Sequence, residues 1–434
     1  MQSFNHFFYI IFDILKNTYF MKSKKFILYT IFFILTILTL NSCTNNKTSD
    51  KNTITFWHFW SEPYQKKVID SIVNEFEKAN KCTVEITELS WNDGKTKLFA
   101  AFNSGTAPDV LELGSDWVAQ FSSSGVLHKL NADTMEFSKY IDYSQAPSLW
   151  NGQIYAIPWI VDTRVLFYNK DILKKANLAL EPPQSFNSIL SDASKINSFE
   201  NIYAFGALGS DAHRLYKNIV IFFWSNGGDL YDSLGNIALN SPKNIQALDL
   251  YVQLAQNGFI ETQKQMDNAF AQGKVAYYIS GAWLLDQIQR ENPNLDFDIS
   301  LIPSIGVHKG VSFAGGEYIS INAKTKNYDL SKKFVKYLTD GKNAIEFCKK
   351  INEAGFPADK NFYNDQFYQS HPYRKVFAEQ LNYAKMTPVH PKWLDIEAIL
   401  ENAAVKAIYG EQSAKEALDE AQMRVSGILL TKVK

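Results

Sequence analysis

The chain has 434 residues, with 44 basic and 45 acidic side chains and a formal net charge of −1. This length exceeds what a single hydrophobic core normally supports, so we expect two lobes. The charge balance leaves no basic excess for phosphates, which argues against nucleic acid as a partner. The seven histidines are scattered and there is no Cys-x-x-Cys or His-Glu-x-x-His motif. We therefore expect no metal site and no cofactor.

The N-terminal region has the parts of a secretory signal peptide. Three lysines within residues 22–25 precede an uncharged run, residues 26–40, that is too short to span a bilayer comfortably. The sequence Leu-Asn-Ser-Cys that ends at Cys43 resembles a bacterial lipobox. A retained membrane anchor is the alternative, but a polar stretch follows at once without a basic stop-transfer cluster.

We therefore expect cleavage before Cys43, with lipid carried on its thiol. Residues 1–42 are then the signal peptide, with translation starting at Met21, and residues 43–52 are a lipidated tether. The mature protein is expected as an exported bacterial lipoprotein, periplasmic or on the outer face of the cell membrane and anchored through Cys43. Loss of four lysines and one aspartate changes its formal charge from −1 to −4.

Beyond the tether, short apolar strands alternate with amphipathic helices. The first predicted elements are a strand starting at Ile54, a helix entered at Ser61 and Pro63, a strand at 84–87, a helix at 98–102 and a strand at 110–113. Strand, helix and strand in this order imply a parallel sheet covered by helices. The later predicted elements are a helix at 241–257, a strand at 275–279, a helix at 331–338 and a mostly helical tail at 394–430.

Several short segments carry a family resemblance through their order along the chain. They are NSGTAPDV at 103–110, SGVLHKL at 124–130, YAIPW and LFYNKD within 154–171, WSNGGD at 224–229, FAQGKVA at 270–276, GAW at 281–283 and GG at 315–316. In this order they resemble the extracellular solute-binding proteins that serve sugar-importing ABC transporters. Two segments depart from the family pattern. The first is Gln-Ser-Phe at 184–186, where Ser185 still suits a helix cap. The second is the pair Tyr277 and Tyr278.

The resemblance implies an α/β fold of two lobes, each with a mainly parallel sheet flanked by helices, that closes on a ligand by hinge bending. Crossovers are expected near residues 160–164, 312–315 and 355–357. The N-terminal lobe would comprise 53–161 with 315–355, and the C-terminal lobe 162–314 with 356–434. The implied function is capture of a sugar or oligosaccharide by a monomer, followed by delivery to membrane permeases.

Nine tryptophans suit such a ligand, because a pyranose has an apolar face that packs on an indole and a rim of hydroxyls that bind charged groups. Ligands of open α/β sheets bind outside the carboxyl ends of strands. Candidates that follow predicted strands or lie at crossovers are Trp57, His58, Trp60, Glu62, Asp116, Trp117, Trp159, Asp162, Arg164, Trp283, Gly316 and Glu317. Of these, Glu62, Asp116, Asp162, Arg164 and Glu317 are the candidates for hydroxyl recognition.

Structural interpretations remain open beside the functional ones. We expect Trp91, Trp150 and Trp224 in the core, and Trp57 is equally a core candidate. His58 can be a hydrogen-bonded structural histidine, and Arg164 can form an ion pair between the lobes. Cys82 and Cys348 are expected to be two separate buried thiols.

Two other functions are compatible with the sequence. An exported glycoside hydrolase or other carbohydrate-active lipoprotein would use two carboxyl groups, with Asp116 and Glu317 as candidates. An adhesin or assembly protein would bind no small ligand. No Gly-x-Ser-x-Gly elbow or phosphate loop is present, which disfavours esterase and NTPase activity.

Overall fold

The computed structural model describes residues 52–362 and 364–430. The predicted signal peptide, the start at Met21 and the lipidation site Cys43 lie outside these ranges. Within them, no helix combines the length and the apolar composition that crossing a membrane requires.

The first part of the described chain alternates strands and helices as predicted. Its elements are β1 (Thr53–His58), α1 (Pro63–Asn80), β2 (Thr83–Glu88), α2 (Gly94–Ser104), β3 (Val110–Gly114), α3 (Val118–Ser123), α4 (Asp142–Gln145), β4 (Leu149–Trp150), β5 (Gln153–Ile154) and β6 (Ala156–Thr163). Two 3-10 turns, Phe137–Lys139 and Ala146–Ser148, flank α4.

After Arg164 the chain enters a second sheet. The elements there are β7 (Val165–Asn169), α5 (Lys170–Lys175), α6 (Phe186–Ile196), β8 (Tyr203–Leu208), α7 (Leu215–Ser225), α8 (Pro242–Gln256), β9 (Phe259–Glu261), α9 (Gln263–Ala271), β10 (Val275–Ser280), α10 (Trp283–Glu291) and β11 (Phe297–Ser300).

The chain then returns to the first sheet and ends in helices. The remaining elements are β12 (Ser312–Ile321), α11 (Tyr328–Thr339), α12 (Gly341–Lys350), a 3-10 turn (Asn352–Ala354), β13 (Phe356–Pro357), α13 (Gln366–Ser370), α14 (Pro372–Leu381), β14 (Ala384–Lys385), α15 (Trp393–Ile408) and α16 (Ala414–Leu430).

Two mixed sheets organise the described residues, and each is the centre of one lobe. The first sheet has the order β13-β6-β12-β3-β1-β2, with β14 paired to β12, and the second has the order β11-β7-β10-β8-β9. In the first lobe, β1 is parallel to β2 and β3, as predicted from strand, helix and strand, while β12 is antiparallel to β3 and β6. In the second lobe, β8 is parallel to β9 and β10, and β7 is antiparallel to β10 and β11.

The passages between lobes fall close to the predicted positions. β6 ends at Thr163 and β7 begins at Val165, so Arg164 lies between the two sheets. The strands β6, β12 and β13 all pair within the first sheet. Each of them extends two or three residues beyond the predicted limit of the N-terminal lobe, at 161, 315 or 355. The assignment of whole segments to each lobe stays a prediction.

Local signals of helix capping explain where several helices begin. Ser185 accepts from the backbone N–H of Ser188 at 3.2 Å and starts α6, as its sequence suggested. Ser241 caps α8 in the same way. In contrast, α1 is capped by Glu62, one residue after the predicted Ser61, because Glu62 forms a capping box with Gln65.

The two described cysteines are free thiols, as predicted. Cys348 is buried, whereas Cys82 at the end of α1 is only half-buried. Cys82 and Cys348 are therefore not joined by a disulfide.

Glu112 is an acidic side chain in the core of the first lobe. It lies on β3 with no exposed surface, and its Oε2 accepts from the backbone N–H of Phe59 at 2.9 Å. Burial raises the pKa of this carboxyl to about 8, because the charged form loses its hydration. Glu112 thus holds the loop that follows β1, which carries Phe59 and Trp60.

We predict that Glu112→Gln changes the pH dependence of stability. A raised pKa means that the folded state binds one proton more than the unfolded state between about pH 4.3 and the folded value. The stability due to this group is therefore present at low pH and lost as pH rises through about 8. Denaturant unfolding from pH 5 to 9 should show wild-type stability falling, relative to the variant, by up to about 1.4 kcal/mol per pH unit. Parallel curves would contradict the assignment.

Candidate functional site

A cavity of about 340 Å³ lies between the two lobes, where strands of both sheets end. This position agrees with the rule that ligand sites of α/β sheets form outside the carboxyl ends of strands. Nine of the twelve candidates line it, namely Trp60, Glu62, Asp116, Trp117, Asp162, Arg164, Trp283, Gly316 and Glu317. Their role in ligand binding stays a prediction, but the fold brings them to one place.

Three candidates do not line the cavity, and their burial explains why. β1 continues through His58, so Trp57 is part of the strand and packs on the core instead of lying in the following loop. His58 is 1% exposed and its Nδ1 accepts from the backbone N–H of Trp60 at 3.1 Å. Burial lowers the pKa of His58 to about 4, which keeps the ring neutral. Trp159 is 1% exposed and packs against Phe347, with ring centres 4.5 Å apart.

Several cavity residues were missed although the strand-end rule applies to them. Trp91 follows β2 and was expected in the core, while His213, Arg214 and Lys217 follow β8. Gln263 follows β9. Neither β8 nor β9 is predicted from the sequence, so the strand-end rule selects no residue that follows them. Trp91, which follows β2, is assigned to the core instead.

The first lobe presents an aromatic cluster to the cavity. Phe59 stacks on Trp91 with ring centres 4.1 Å apart, and Trp117 meets both rings edge-on at 5.6 and 5.4 Å. Phe59 and Trp117 are only 4% and 2% exposed, whereas Trp91 is half-buried. Trp91 is therefore the member that offers an open ring face, and the other two hold it in place.

The second lobe presents the indole of Trp283, at the start of α10, to the cavity. Its ring lies over Gly281, where a Cβ atom would come within 1.9 Å of the indole. Only glycine leaves room for this ring position. Trp283 is half-buried, so the cavity has a partly open indole on each side.

Charged groups at the crossovers form the floor between these rings. The guanidinium carbon of Arg164 lies 5.4 Å from the Trp283 ring centre and 4.8 Å from that of Phe313. Its Nη1 is 3.7 Å from Asp162 Oδ2, so the ion pair of Arg164 is with its neighbour on the crossover. Gly315 is needed beside them, because a Cβ there would lie 2.6 Å from Asp162 Oδ1.

Two further ionisable groups face the same floor and both are strongly desolvated. Burial lowers the pKa of Lys217, whose Nζ lies 5.2 Å from the Phe313 ring centre. Burial, together with the nearby carboxyls of Asp162 and Glu112, raises the pKa of Glu317 well above its ordinary range. A carboxyl whose pKa is raised in this way is harder to ionise than an exposed one, and its protonated form donates as well as accepts hydrogen bonds.

Hydrogen bonds join the lobes across the cleft. The hydroxyl of Tyr216 on α7 donates to Asp116 Oδ2 at 3.0 Å. Arg214 Nη1 donates to Asn92 Oδ1 at 3.2 Å. Each bond has one partner in either lobe, so the structure is in a conformation with the lobes in contact.

A buried polar cluster lies beside these contacts. Lys95 of α2 approaches His213 Nε2 at 3.4 Å, and the other ring nitrogen of His213 contacts Glu397 of α15. Burial raises the pKa of Glu397 well above its ordinary range and lowers that of His213. In the described ranges, no group of three or more His, Cys, Asp or Glu side chains is arranged to hold a metal ion.

The fold agrees with comparisons to known proteins. A galactooligosaccharide-binding protein of Bacillus subtilis is 24% identical over 86% of this chain and 89% of its own length. The GacH receptor of Streptomyces glaucescens, solved unliganded and with acarbose, superimposes with a TM-score of 0.78 at 24% identity, covering 87% of this chain and 98% of the receptor. An ABC transporter solute-binding protein of Thermotoga lettingae, bound with α-D-tagatose, gives a TM-score of 0.79 at 23% identity, covering 87% and 100%.

The family model for bacterial extracellular solute-binding proteins matches residues 71–376. This match covers most of the described chain and includes seven of the nine candidates that line the cavity, since only Trp60 and Glu62 precede it. It also contains Trp91. The chain belongs to the bacterial extracellular solute-binding protein family.

Proposed function

We propose that this protein captures a sugar or oligosaccharide in the cleft between its lobes and delivers it to the permease subunits of an ABC importer. The observation that carries the proposal is the pair of half-buried indoles, Trp91 and Trp283, on opposite lobes with polar groups between them. The relatives bind galactooligosaccharide, acarbose and tagatose, all of which are carbohydrates.

The arrangement of apolar and polar groups suits a polyhydroxylated ring. An indole face covers the C–H face of a pyranose, and its rim of hydroxyls then points toward charged side chains. Hydroxyls donate to carboxylates such as Asp116 and Asp162 and accept from Arg164 and Lys217. Hydrogen-bond donors and acceptors both line the cavity. A hydroxyl, which donates and accepts, therefore suits it better than a ligand group that can only donate or only accept.

The volume of the cavity fits a small solute. At about 340 Å³ it falls at the lower end of the range of roughly 300–1,000 Å³ for small-molecule sites. The hydrogen bonds from Tyr216 to Asp116 and from Arg214 to Asn92 would be part of the closed state, in which the ligand is held by both lobes.

We propose that the bound solute is released unchanged, in keeping with a family of binding proteins. Hydrolysis is the competing function, because Asp116 and Glu317 line the same cavity and the pKa of Glu317 is raised, as the pKa of a general acid must be. The two functions differ in one observable, which is the appearance of a shorter saccharide.

We predict that Trp91→Ala weakens saccharide binding by about 1–3 kcal/mol through lost stacking and burial. Calorimetric titration with a panel of mono- and oligosaccharides selects the ligand. Trp150→Ala is the matched control, because Trp150 is also half-buried but lies on the β4-β5 hairpin outside the cavity. Its affinity should stay within about twofold of wild type.

The same samples distinguish the competing functions. Saturating ligand, at about one hundred times its dissociation constant, should stabilise the wild type by about 2.7 kcal/mol. Chromatography after prolonged incubation should return the saccharide intact. The appearance of new, shorter saccharides would show that the protein is a hydrolase. If no saccharide of the panel binds, the proposed saccharide function is wrong.

We also propose that the protein acts as a monomer tethered to the membrane through lipid on Cys43, with residues 43–52 as the tether. The support is the basic and apolar sequence that leads to the lipobox-like residues ending at Cys43. In this proposal the lobes comprise 53–161 with 315–355 and 162–314 with 356–434, and they move about the crossovers.

We predict that Cys43→Ala abolishes anchoring and leaves binding intact. A single acyl chain holds a protein only marginally, so several chains on this residue are expected. After expression of the full gene in a bacterial host, the wild type should partition into the detergent phase and the variant into the aqueous phase. Equal distribution of the two proteins in the aqueous phase would contradict lipidation at Cys43.

A further inference from the structure

Asp267 is a buried carboxyl that touches the ligand cavity only through another side chain. It lies on α9, is 4% exposed and is absent from the cavity lining. Its Oδ2 accepts from the indole N–H of Trp283 at 3.1 Å. Its Oδ1 accepts from the hydroxyl of Ser280 on β10 at 3.1 Å.

Two constraints together set the plane of the Trp283 ring. Gly281 permits the ring to lie directly over the backbone, where any Cβ would collide with it. The bond to Asp267 then fixes the rotation of the ring, because the indole has a single N–H and it points to that carboxylate. The guanidinium carbon of Arg164 lies over the ring, 5.4 Å from its centre.

We propose that Asp267 is a positioning residue of the saccharide site, which orients the Trp283 indole for stacking against the ligand. The inference rests on the proposed function for its effect on affinity. The contact between Asp267 and Trp283 can be measured without any ligand.

The charge state of Asp267 bears on the strength of this contact. Burial raises the pKa of Asp267 to about 7. Hydrogen bonds from Tyr278, Ser280 and Trp283 and the charge of Arg214 act in the opposite direction but are smaller. When Asp267 is ionised, both oxygens accept and the bond from the indole is charge-assisted. When it is protonated, one oxygen becomes a donor and the bond from Trp283 weakens. Affinity should therefore decrease as pH falls through about 7.

A double-mutant cycle separates positioning from a general structural effect. Asp267→Asn keeps the shape of the side chain but removes the charge, and Trp283→Phe keeps a ring but removes the N–H donor. We expect Asp267→Asn to weaken saccharide binding about tenfold in the wild-type background, as for the loss of a charge-assisted bond. In the Trp283→Phe background the same change should alter affinity by less than about twofold. Equal losses in both backgrounds would overturn the proposal.

A spectroscopic measurement on the unliganded protein gives a second readout. With ¹⁵N-labelled tryptophan, the Trp283 indole N–H signal is identified by its loss in Trp283→Phe. This signal should titrate with a midpoint near pH 7 in the wild type, and the step should vanish in Asp267→Asn. The matched control is Asp192→Asn. This change removes a carboxylate bound to Tyr277 on β10, the strand that also carries Ser280, and should leave the titration and the affinity unchanged.

The two readouts distinguish the possible failures. If the wild type binds no saccharide, the proposed function fails, and with it the role of Asp267 in saccharide binding. In that case a titrating indole signal still supports the contact between Asp267 and Trp283. If saccharide binds but the indole signal does not titrate and the cycle is additive, the proposed function stands and the positioning role of Asp267 is wrong.

Discussion

The antiparallel pairing of β6 with β12 is the constraint on which the cleft depends. The two strands run side by side across the first sheet, with Gly316 opposite Val161, and a Cβ on Gly316 would lie 2.5 Å from the carbonyl oxygen of Ile160. The close approach holds both crossovers together at the edge of the first lobe. Asp162 on β6 and Arg164, which directly follows this strand, therefore lie beside Phe313 and Glu317 on β12, and these four residues form the floor of the cavity.

The floor concentrates ionisable groups where water is scarce, and this changes how they can act. Burial and neighbouring carboxyls raise the pKa of Glu317, and burial lowers the pKa of Lys217. The floor thus places hydrogen-bond donors and acceptors side by side, which suits a polyol because each hydroxyl both donates and accepts. The aromatic residues supply the apolar contact on either side, with Trp91 supported by Phe59 and Trp283 supported by Gly281 and Asp267.

The architecture could be predicted from the sequence because hydrophobic periodicity and turn residues are local signals. The strands β1, β2 and β3 and the start of α8 at Ser241 follow from such signals. The position of the first crossover was expected only from the family resemblance. The assignment of Trp57 and His58 to the cavity was wrong because one or two residues of strand length decide whether a side chain lies in the sheet or in the loop. Trp91 was expected in the core because tryptophans of a long chain are usually buried. Its place in the cavity depends on contacts with Phe59 and Trp117, which come from other segments. The link from Asp267 to Trp283 likewise spans α9 and α10 and has no local sequence pattern.

The most direct test of the central claim is a crystal structure of the protein with the tightest saccharide of the binding panel. The account predicts a sugar ring between the lobes, with one face against the indole of Trp91 or Trp283 and hydroxyls within hydrogen-bond distance of Asp116, Asp162 or Arg164. Density for the saccharide on an outer surface, with the cleft between Trp91 and Trp283 free of it, would contradict the account.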